Sequence, residues 1–422
     1  MTYEQVVQNL ESLSIMPKTM PGLEKLKKAL SHKNWYQSLD PQKIITVAGT
    51  NGKGTTCAAL ETLLISAGQK VGLYTSPHLI STTERIRSNG QNISQENFIK
   101  LYLENEKLIR TYELTHFESL TLMAADYFFS QQNLDFAIFE VGLGGTYDAT
   151  NVFPNGLSII TALGVDHQNI LGNTIQEIAS NKFGIIKKNS VVVHHVLPEE
   201  THELFLATLE KADSRSVAAC KWTLKVEHKN SLPIWFIDTQ YGIAEINIPG
   251  ARACENIATA LTAFEVLGFN PQKHLSCLKQ IKWQGRMQMI SLPEINCPVF
   301  LSGDHNPQGV QSLIDLLKYY KWQTLHLVVG VGQDKDAENI FSQLLQLPRH
   351  KLYLTVTPFK GRALSDYSKQ VKEHSLSQNE NIIELLKSIQ AKADDMILVT
   401  GSLYLVGEVL KSLLTIPENP HV

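Results

Sequence analysis

Ile44-Ile45-Thr46-Val47-Ala48-Gly49-Thr50-Asn51-Gly52-Lys53-Gly54-Thr55-Thr56 reads as a buried strand that breaks into a glycine-rich turn and then starts a helix. Glycines let a turn bring successive N–H groups onto phosphate oxygens, and the helix adds its positive end. Lys53 supplies a point charge, and Thr55 or Thr56 a hydroxyl for Mg²⁺. The loop is a variant phosphate cradle: Val47 stands where G-x-x-x-x-G-K-[ST] has its first glycine, and Gly54 separates the lysine from the hydroxyls. An ordinary strand-to-helix turn is the alternative, and the context around the loop must decide.

Outward from the loop, apolar runs at 44–48, 71–75, 136–141, 157–163 and 191–196 read as strands. Helical stretches near 55–67, 94–112, 117–132, 174–187 and 198–212 alternate with them. Such alternation implies a parallel sheet covered by helices on both faces. Residues 220–250 change character and read as short antiparallel strands at 222–226, 234–237 and 244–248, before a helix near 253–267. After Gln284-Gly285-Arg286 a second series begins, with strands near 298–302, 325–330, 351–357 and 396–400 and helices near 307–320, 336–346, 382–392 and 403–414. The expected fold class is α/β: a P-loop-containing parallel-sheet ATPase domain over 1–290 and a smaller Rossmann-like domain over 291–422.

Composition narrows the function classes. The 38 basic and 41 acidic residues give a net charge of −3, which argues against a nucleic-acid partner. Cys57, Cys220, Cys254, Cys277 and Cys297 are scattered and form no C-x-x-C pair, so neither a disulfide framework nor a zinc site is indicated. The N-terminus is polar and unlike a signal peptide, and no apolar run is long enough for a membrane helix. A cytoplasmic enzyme with small-molecule partners, no nucleic acid and no membrane is expected.

Four further places carry chemistry. Glu140 ends an apolar strand and precedes Val141-Gly142-Leu143-Gly144-Gly145, which suits a Mg²⁺ ligand, though a solvated strand-end glutamate reads the same way. Asp166-His167 follows the strand expected at 157–163, either as hydrogen-bonded structure or as a ligand pair. Lys182 lies on an amphipathic helix, where a surface lysine is the alternative. Asp304-His305-Asn306-Pro307 closes a strand and opens a helix, a place for an anion or nucleotide.

Together these motifs resemble the folylpolyglutamate synthase and dihydrofolate synthase family, a branch of the Mur-ligase superfamily. The matching stretches are Gly49–Thr55, Thr75–Leu79, Glu84-Arg85-Ile86, Phe117-Glu118, Glu140–Gly145 and Asp148-Ala149-Thr150-Asn151. They continue through Asp166-His167, Leu171–Thr174, Lys182, Gly285-Arg286, His305-Asn306-Pro307, Asp334-Lys335-Asp336 and Thr400-Gly401-Ser402. The resemblance implies a Mur-ligase-like fold and an ATP-dependent acid–amino-acid ligase. A substrate carboxylate takes the γ-phosphoryl group of ATP to give an acyl phosphate, and the amine of L-glutamate displaces phosphate. The implied substrates are dihydropteroate and folates, and the implied state is a monomer.

By matching position, the resemblance implies catalytic roles for Lys53, Lys182 and His167, with Lys182 carbamylated. It implies nucleotide contacts from Gly49, Thr50, Asn51, Gly52, Lys53, Gly54, Thr55, Thr56, Asn256, Arg286, Ser302 and His305. Two Mg²⁺ ions would be held through Thr55, Ser76, Glu140 and His167. Pro77, His78, Arg85, Phe117, Glu118 and Asp148 would face the substrate, Asp148 towards the pterin. For Asp148 the residues alone leave a second reading, an Asp that closes its own turn.

Departures from the family pattern are specific. Ser302 stands where the family has Asp three residues before the His of its HNP motif, and Asp304 is shifted beside His305. Asn181 and Phe183 flank Lys182 in place of Glu and Ala, and the His-Gln pair before Asn256 is missing. Three alternatives remain: folylpolyglutamate synthase activity alone, a cell-wall Mur ligase, and a non-catalytic nucleotide-binding protein. Only about 45 residues precede the loop, too few for the UDP-sugar domain of a cell-wall ligase.

Overall fold

The structure is a computed structural model that describes residues 1–14, 22–230 and 232–414. The chain divides into two compact units. One takes Met1–Leu224, Phe236–Glu245 and Arg252–Ile281, the other Lys225–Trp235, Ile246–Ala251 and Lys282–Val422.

The first unit is built on β1 (Ile44–Ala48), β2 (Val71–Tyr74), β3 (Ile86–Ser88), β4 (Gln91–Asn92), β5 (Phe136–Glu140), β6 (Leu157–Ile160), β7 (Val191–His194) and β8 (Arg215–Ala218). They lie in the order β4-β3-β2-β5-β1-β6-β7-β8. The six strands from β2 to β8 in that order pair in parallel, and β3 and β4 extend one edge antiparallel. β1 is buried at all five positions because it is a central strand of a parallel sheet. Its register sets Val47 opposite Glu140 on one side and Ile159 on the other. Strand order reverses around β1, and the carboxyl ends at such a switch point form a crevice for ligands.

Between these strands run the helices Lys53–Ser66, Gln95–Thr111, His116–Asp126, Ile175–Phe183 and His202–Ala212, close to the expected spans. The stretch expected as one helix over 117–132 widens after Asp126 into a π turn, Tyr127–Gln131. Asp126 is taken up there by Lys33 Nζ at 2.6 Å, Trp35 Nε1 at 2.9 Å and Asn105 Nδ2 at 2.8 Å. β6 stops at Ile160, short of the expected 163, because Ala162 bridges to Asn51 of the phosphate loop. The helices Tyr3–Glu11 and Glu24–Leu30, the β3–β4 hairpin and β8 were not anticipated from sequence.

β9 (Trp222–Lys229), β10 (Leu232–Thr239) and β11 (Gly242–Ile246) form a separate sheet in the order β11-β10-β9, followed by the helix Ala251–Val266. The second unit carries β12 (Gln288–Ile290), β13 (Val299–Leu301), β14 (Leu325–Val329), β15 (His350–Leu354), β16 (Ser375–Gln378) and β17 (Met396–Thr400). Their order is β12-β13-β17-β14-β15-β16, parallel apart from β12. The helices Pro307–Leu317, Ala337–Leu344, Ile382–Ser388 and Leu403–Leu414 alternate with these strands as expected; β12 and β16 are additions.

One charge pair stands out in the first unit. Arg87 of β3 lies 2.6 Å from Glu61 of the helix Lys53–Ser66, with side chains 12% and 1% exposed. Burial pushes the Glu61 carboxyl up even though Arg87 pulls the other way. Removing one partner of such a pair leaves an uncompensated buried charge, which costs about 3–5 kcal/mol. Arg87→Met is therefore expected to lower the urea midpoint of the first unit sharply, and Glu61→Leu added to it should restore much of the loss. A single-variant midpoint equal to that of the parent would contradict this account.

Candidate active site

The phosphate loop leaves β1 with no room for side chains at two points. A Cβ on Gly49 would lie 1.9 Å from Thr161 Oγ1, and one on Gly52 would lie 2.1 Å from Asn256 Oδ1. Gly52 also has φ of 93° and opens the helix Lys53–Ser66 with no side chain capping it. That helix end therefore presents its first N–H groups to the loop, as an anion site requires. The loop is pinned to the end of β6: Thr50 N donates to Ala162 O at 2.8 Å and Thr161 Oγ1 to Asn51 O at 2.8 Å. Thr50 Oγ1 donates to Gly164 O at 2.8 Å.

Two lysines converge on one carbonyl. Lys53 Nζ donates to Gly49 O at 3.1 Å, and Lys182 Nζ donates to the same oxygen at 2.9 Å. Lys182 is 4% exposed, so the surface-lysine alternative does not hold. Burial first, and the neighbouring Lys53 charge second, push the Lys182 amine down to about 7. Asp166 and Asp148 act in the opposite direction.

Glu140 is buried at the end of β5, next to the start of the loop, and its Oε2 accepts from Ser76 N at 3.0 Å. Ser76 precedes Pro77 through a cis peptide. Thr55 is buried in the first helical turn, and Thr56 Oγ1 is buried without a hydrogen-bond partner. His167 lies seven residues beyond the end of β6, at φ 52°, opening the short helix Gln168–Leu171. Its N–H donates to Asp166 Oδ1 at 2.8 Å. Among the described residues no three His, Cys, Asp or Glu side chains gather as a metal cluster, and the implied set takes hydroxyls from Thr55 and Ser76 instead.

The glycine turn after β5 rests on the helix that carries Lys182. A Cβ on Gly145 would lie 2.5 Å from Asn181 O, and one on Gly184 would lie 2.0 Å from Thr146 Oγ1. Asp148 closes this turn. Its Oδ2 accepts from Leu143 N at 2.9 Å, and its Oδ1 accepts from Thr150 N at 3.0 Å and Thr150 Oγ1 at 2.6 Å. The side chain is 4% exposed, and burial pushes its carboxyl up. Of the two sequence readings, this geometry is that of an Asp bracing its own turn.

Beside β2, His78 Nδ1 accepts from Arg85 Nε at 2.9 Å. Burial and the Arg85 charge hold that imidazole neutral, down to about 3. Phe117 packs against Tyr74, ring centroids 5.7 Å apart, and against Gly142, where a Cβ would meet its ring at 2.6 Å. Glu118 is occupied as the third helical residue of a capping box with Thr115, whose N–H it accepts at 2.8 Å.

In the second unit, Arg286, Ser302 and His305 come together at the end of β13. Ser302 Oγ donates to Asp304 Oδ2 at 2.7 Å, and His305 Nδ1 donates to Gly303 O at 2.8 Å. A Cβ on Gly303 would lie 3.3 Å from Arg286 Nη1. The shifted Asp304 thus returns its carboxylate to the Ser302 position through a hydrogen bond, which the sequence alone did not reveal. Thr161 was also missed: its hydroxyl, one residue past a strand end, is what holds the loop.

Residues 47–264 match the Mur ligase middle domain, and residues 285–403 match the glutamate ligase domain of the Mur ligases. A dihydrofolate synthase/folylpolyglutamate synthase of Buchnera aphidicola is 33% identical over 389 residues, 89% of this chain and 88% of the relative. The enzyme of the same name from Bacillus subtilis is 32% identical over 421 residues, 93% and 95% of the two chains. The chain belongs to the folylpolyglutamate synthase/dihydrofolate synthase family. A solved bifunctional member with Mn, AMPPNP and L-glutamate bound superposes with a TM-score of 0.82 at 28% identity, covering 98% of both chains. The family's two-domain α/β fold and its ATP-dependent ligase class therefore apply here. Among the described residues no helix is long and apolar enough to cross a membrane.

Proposed function

We propose that this chain joins L-glutamate to dihydropteroate and to folates, as a bifunctional dihydrofolate synthase/folylpolyglutamate synthase. The observation that carries the reading is the pair of lysines on the Gly49 carbonyl, set at the sheet's switch point beside a buried Glu140. The loop's residues fit a nucleotide: the space that β-carbons at Gly49 and Gly52 would take is already closed, and Thr56 Oγ1 and Asn256 Oδ1 are buried without partners. When bound, ATP with Mg²⁺ supplies the γ-phosphoryl group that converts the substrate carboxylate into an acyl phosphate open to the glutamate amine.

Lys53 and the loop amides offset the repulsion between two approaching anions. Asn256 is proposed as a nucleotide contact beside the loop, and Arg286, Ser302 and His305 as a candidate nucleotide-contact group within the second unit. Thr55, Ser76, Glu140 and His167 would hold the metal ions. Pro77, His78, Arg85, Phe117 and Glu118 shape the substrate side, with the Arg85 guanidinium held in place by His78. We infer that the Lys182 amine, half neutral already near pH 7 because of its lowered pKa, adds to CO₂ and releases a proton, which leaves an anionic carbamate. A monomeric state is part of the same proposal. Five cysteines, all free and buried, support a cytoplasmic setting.

The test is phosphate release from ATP, which should require L-glutamate together with dihydropteroate, or together with a reduced folate. Release independent of either partner would refute the reading. No turnover with dihydropteroate, beside normal turnover with folates, would leave the glutamate-extending activity alone.

Asp148 bears on the same question. Because its carboxylate braces the turn that rests on the Lys182 helix, Asp148→Ala is expected to depress both activities together, by about tenfold or more. Loss confined to dihydropteroate would show instead that Asp148 meets the pterin directly.

A further inference from the structure

His195 follows β7 directly, and its N–H donates to Ile160 O at 3.0 Å, extending the β6–β7 pairing by one residue. The side chain is 1% exposed, and neither ring nitrogen has a well-aligned hydrogen-bond partner. What faces it is Glu255: Nδ1 lies 3.4 Å from Glu255 Oε1, a polar approach without the alignment of a hydrogen bond. Burial, with His194 beside it, holds the imidazole neutral, down to about 3. The contact is a close polar approach of a neutral imidazole to the Glu255 carboxyl, which is itself raised by burial against the pull of Arg252. An aliphatic side chain would fill the same core position without leaving polar atoms short of partners, so packing alone does not account for His195.

Both ends of this contact lead to the phosphate loop. Glu255 sits in the first turns of the helix Ala251–Val266, and the next residue is Asn256. Asn256 is 2% exposed, its Oδ1 has no partner, and that oxygen faces Gly52. On the other side, His195 binds Ile160, and the following residue, Thr161, holds Asn51 O and Ala48 O. We propose that His195 and Glu255 are a positioning pair that fixes the helix Ala251–Val266 on the sheet, seats Asn256 against Gly52 and so sets nucleotide affinity. The proposal rests on the nucleotide reading of the loop and adds to it two residues outside the loop.

The experiment measures AMPPNP binding by calorimetry and the KM for ATP, folate and glutamate in the full-length enzyme. Glu255→Ala and His195→Phe should each weaken AMPPNP binding about tenfold, and the double variant no further, as expected for one shared contact. The KM for folate and glutamate and the kcat at saturating ATP should stay within about twofold of the parent, since binding rather than chemistry is altered. Glu255→Gln, which keeps a polar oxygen facing Nδ1, should bind nearly as the parent does. Additive losses, equal losses for all three substrates, or unchanged AMPPNP affinity in Glu255→Ala would overturn the proposal. If His195→Phe does not fold, the partly exposed Glu255 decides alone. Lys53→Ala separates the two levels of the argument. If it keeps both normal AMPPNP binding and normal turnover, the nucleotide reading of the loop fails; if it loses either while Glu255→Ala leaves AMPPNP affinity unchanged, only the pair's role fails.

Discussion

Lys53→Ala is expected to lower kcat/KM by about a thousandfold or more, equivalent to roughly 4 kcal/mol of transition-state stabilisation, with the fold intact. The lysine is half-buried, and its ammonium donates to two loop carbonyls, Gly49 O at 3.1 Å and Thr50 O at 3.4 Å, so its removal opens no core cavity. What is lost is a charge placed where two anions must meet. Arginine is not an equivalent replacement, because its planar fork cannot act as the same compact point charge. Steady-state kinetics with a matched urea titration checks both halves. A loss of only a few fold, about 1 kcal/mol, would remove Lys53 from the phosphate role.

The second large effect concerns Lys182. Lys182→Ala should cost about a hundredfold or more in kcat, part of which acetate should restore by supplying the missing anion. The sign of the pH dependence follows from the amine's fall to about 7. Below that pH the amine is protonated and cannot add CO₂. Above it the neutral form dominates, so in CO₂-poor buffer activity should rise as pH increases through about 7, and bicarbonate should flatten the profile. A carbamate signal from ¹³C-bicarbonate should be present in the parent and absent in Lys182→Ala. No such signal, together with activity indifferent to bicarbonate, would show that Lys182 works as a plain amine.

The sheet and its loop were legible because β1 is apolar at almost every position and ends in glycines, a pattern that burial on both faces demands. The β3–β4 hairpin carried a signal too, in Asn89-Gly90, both at positive φ, but its strands are too short to show alternation. β8 has no fully buried residue, which leaves no apolar run to read. At the site, Lys53 and Glu140 could be placed from their strand ends. The burial of Lys182 could not, because its helix has the spacing of a half-exposed one. Nor could the brace role of Asp148, which depends on where the Leu143 and Thr150 amides point. His195 and Glu255 lie sixty residues apart, and only the fold brings them within reach.

Asn181 and Phe183 depart from the family pattern on either side of Lys182, and the packing of the glycine turn explains why they can. Asn181 meets that turn through its main-chain oxygen, which accepts from Thr146 N at 2.8 Å, whereas its amide is directed back to Leu171 O and Glu177 O. Phe183 faces away into the core beside Phe205. Neither side chain therefore bears on the lysine between them through the turn. What lets the turn sit this close to the helix is the absence of a methyl group at Gly145 and at Gly184: two hydrogens, rather than any side chain, set the distance between lysine and turn.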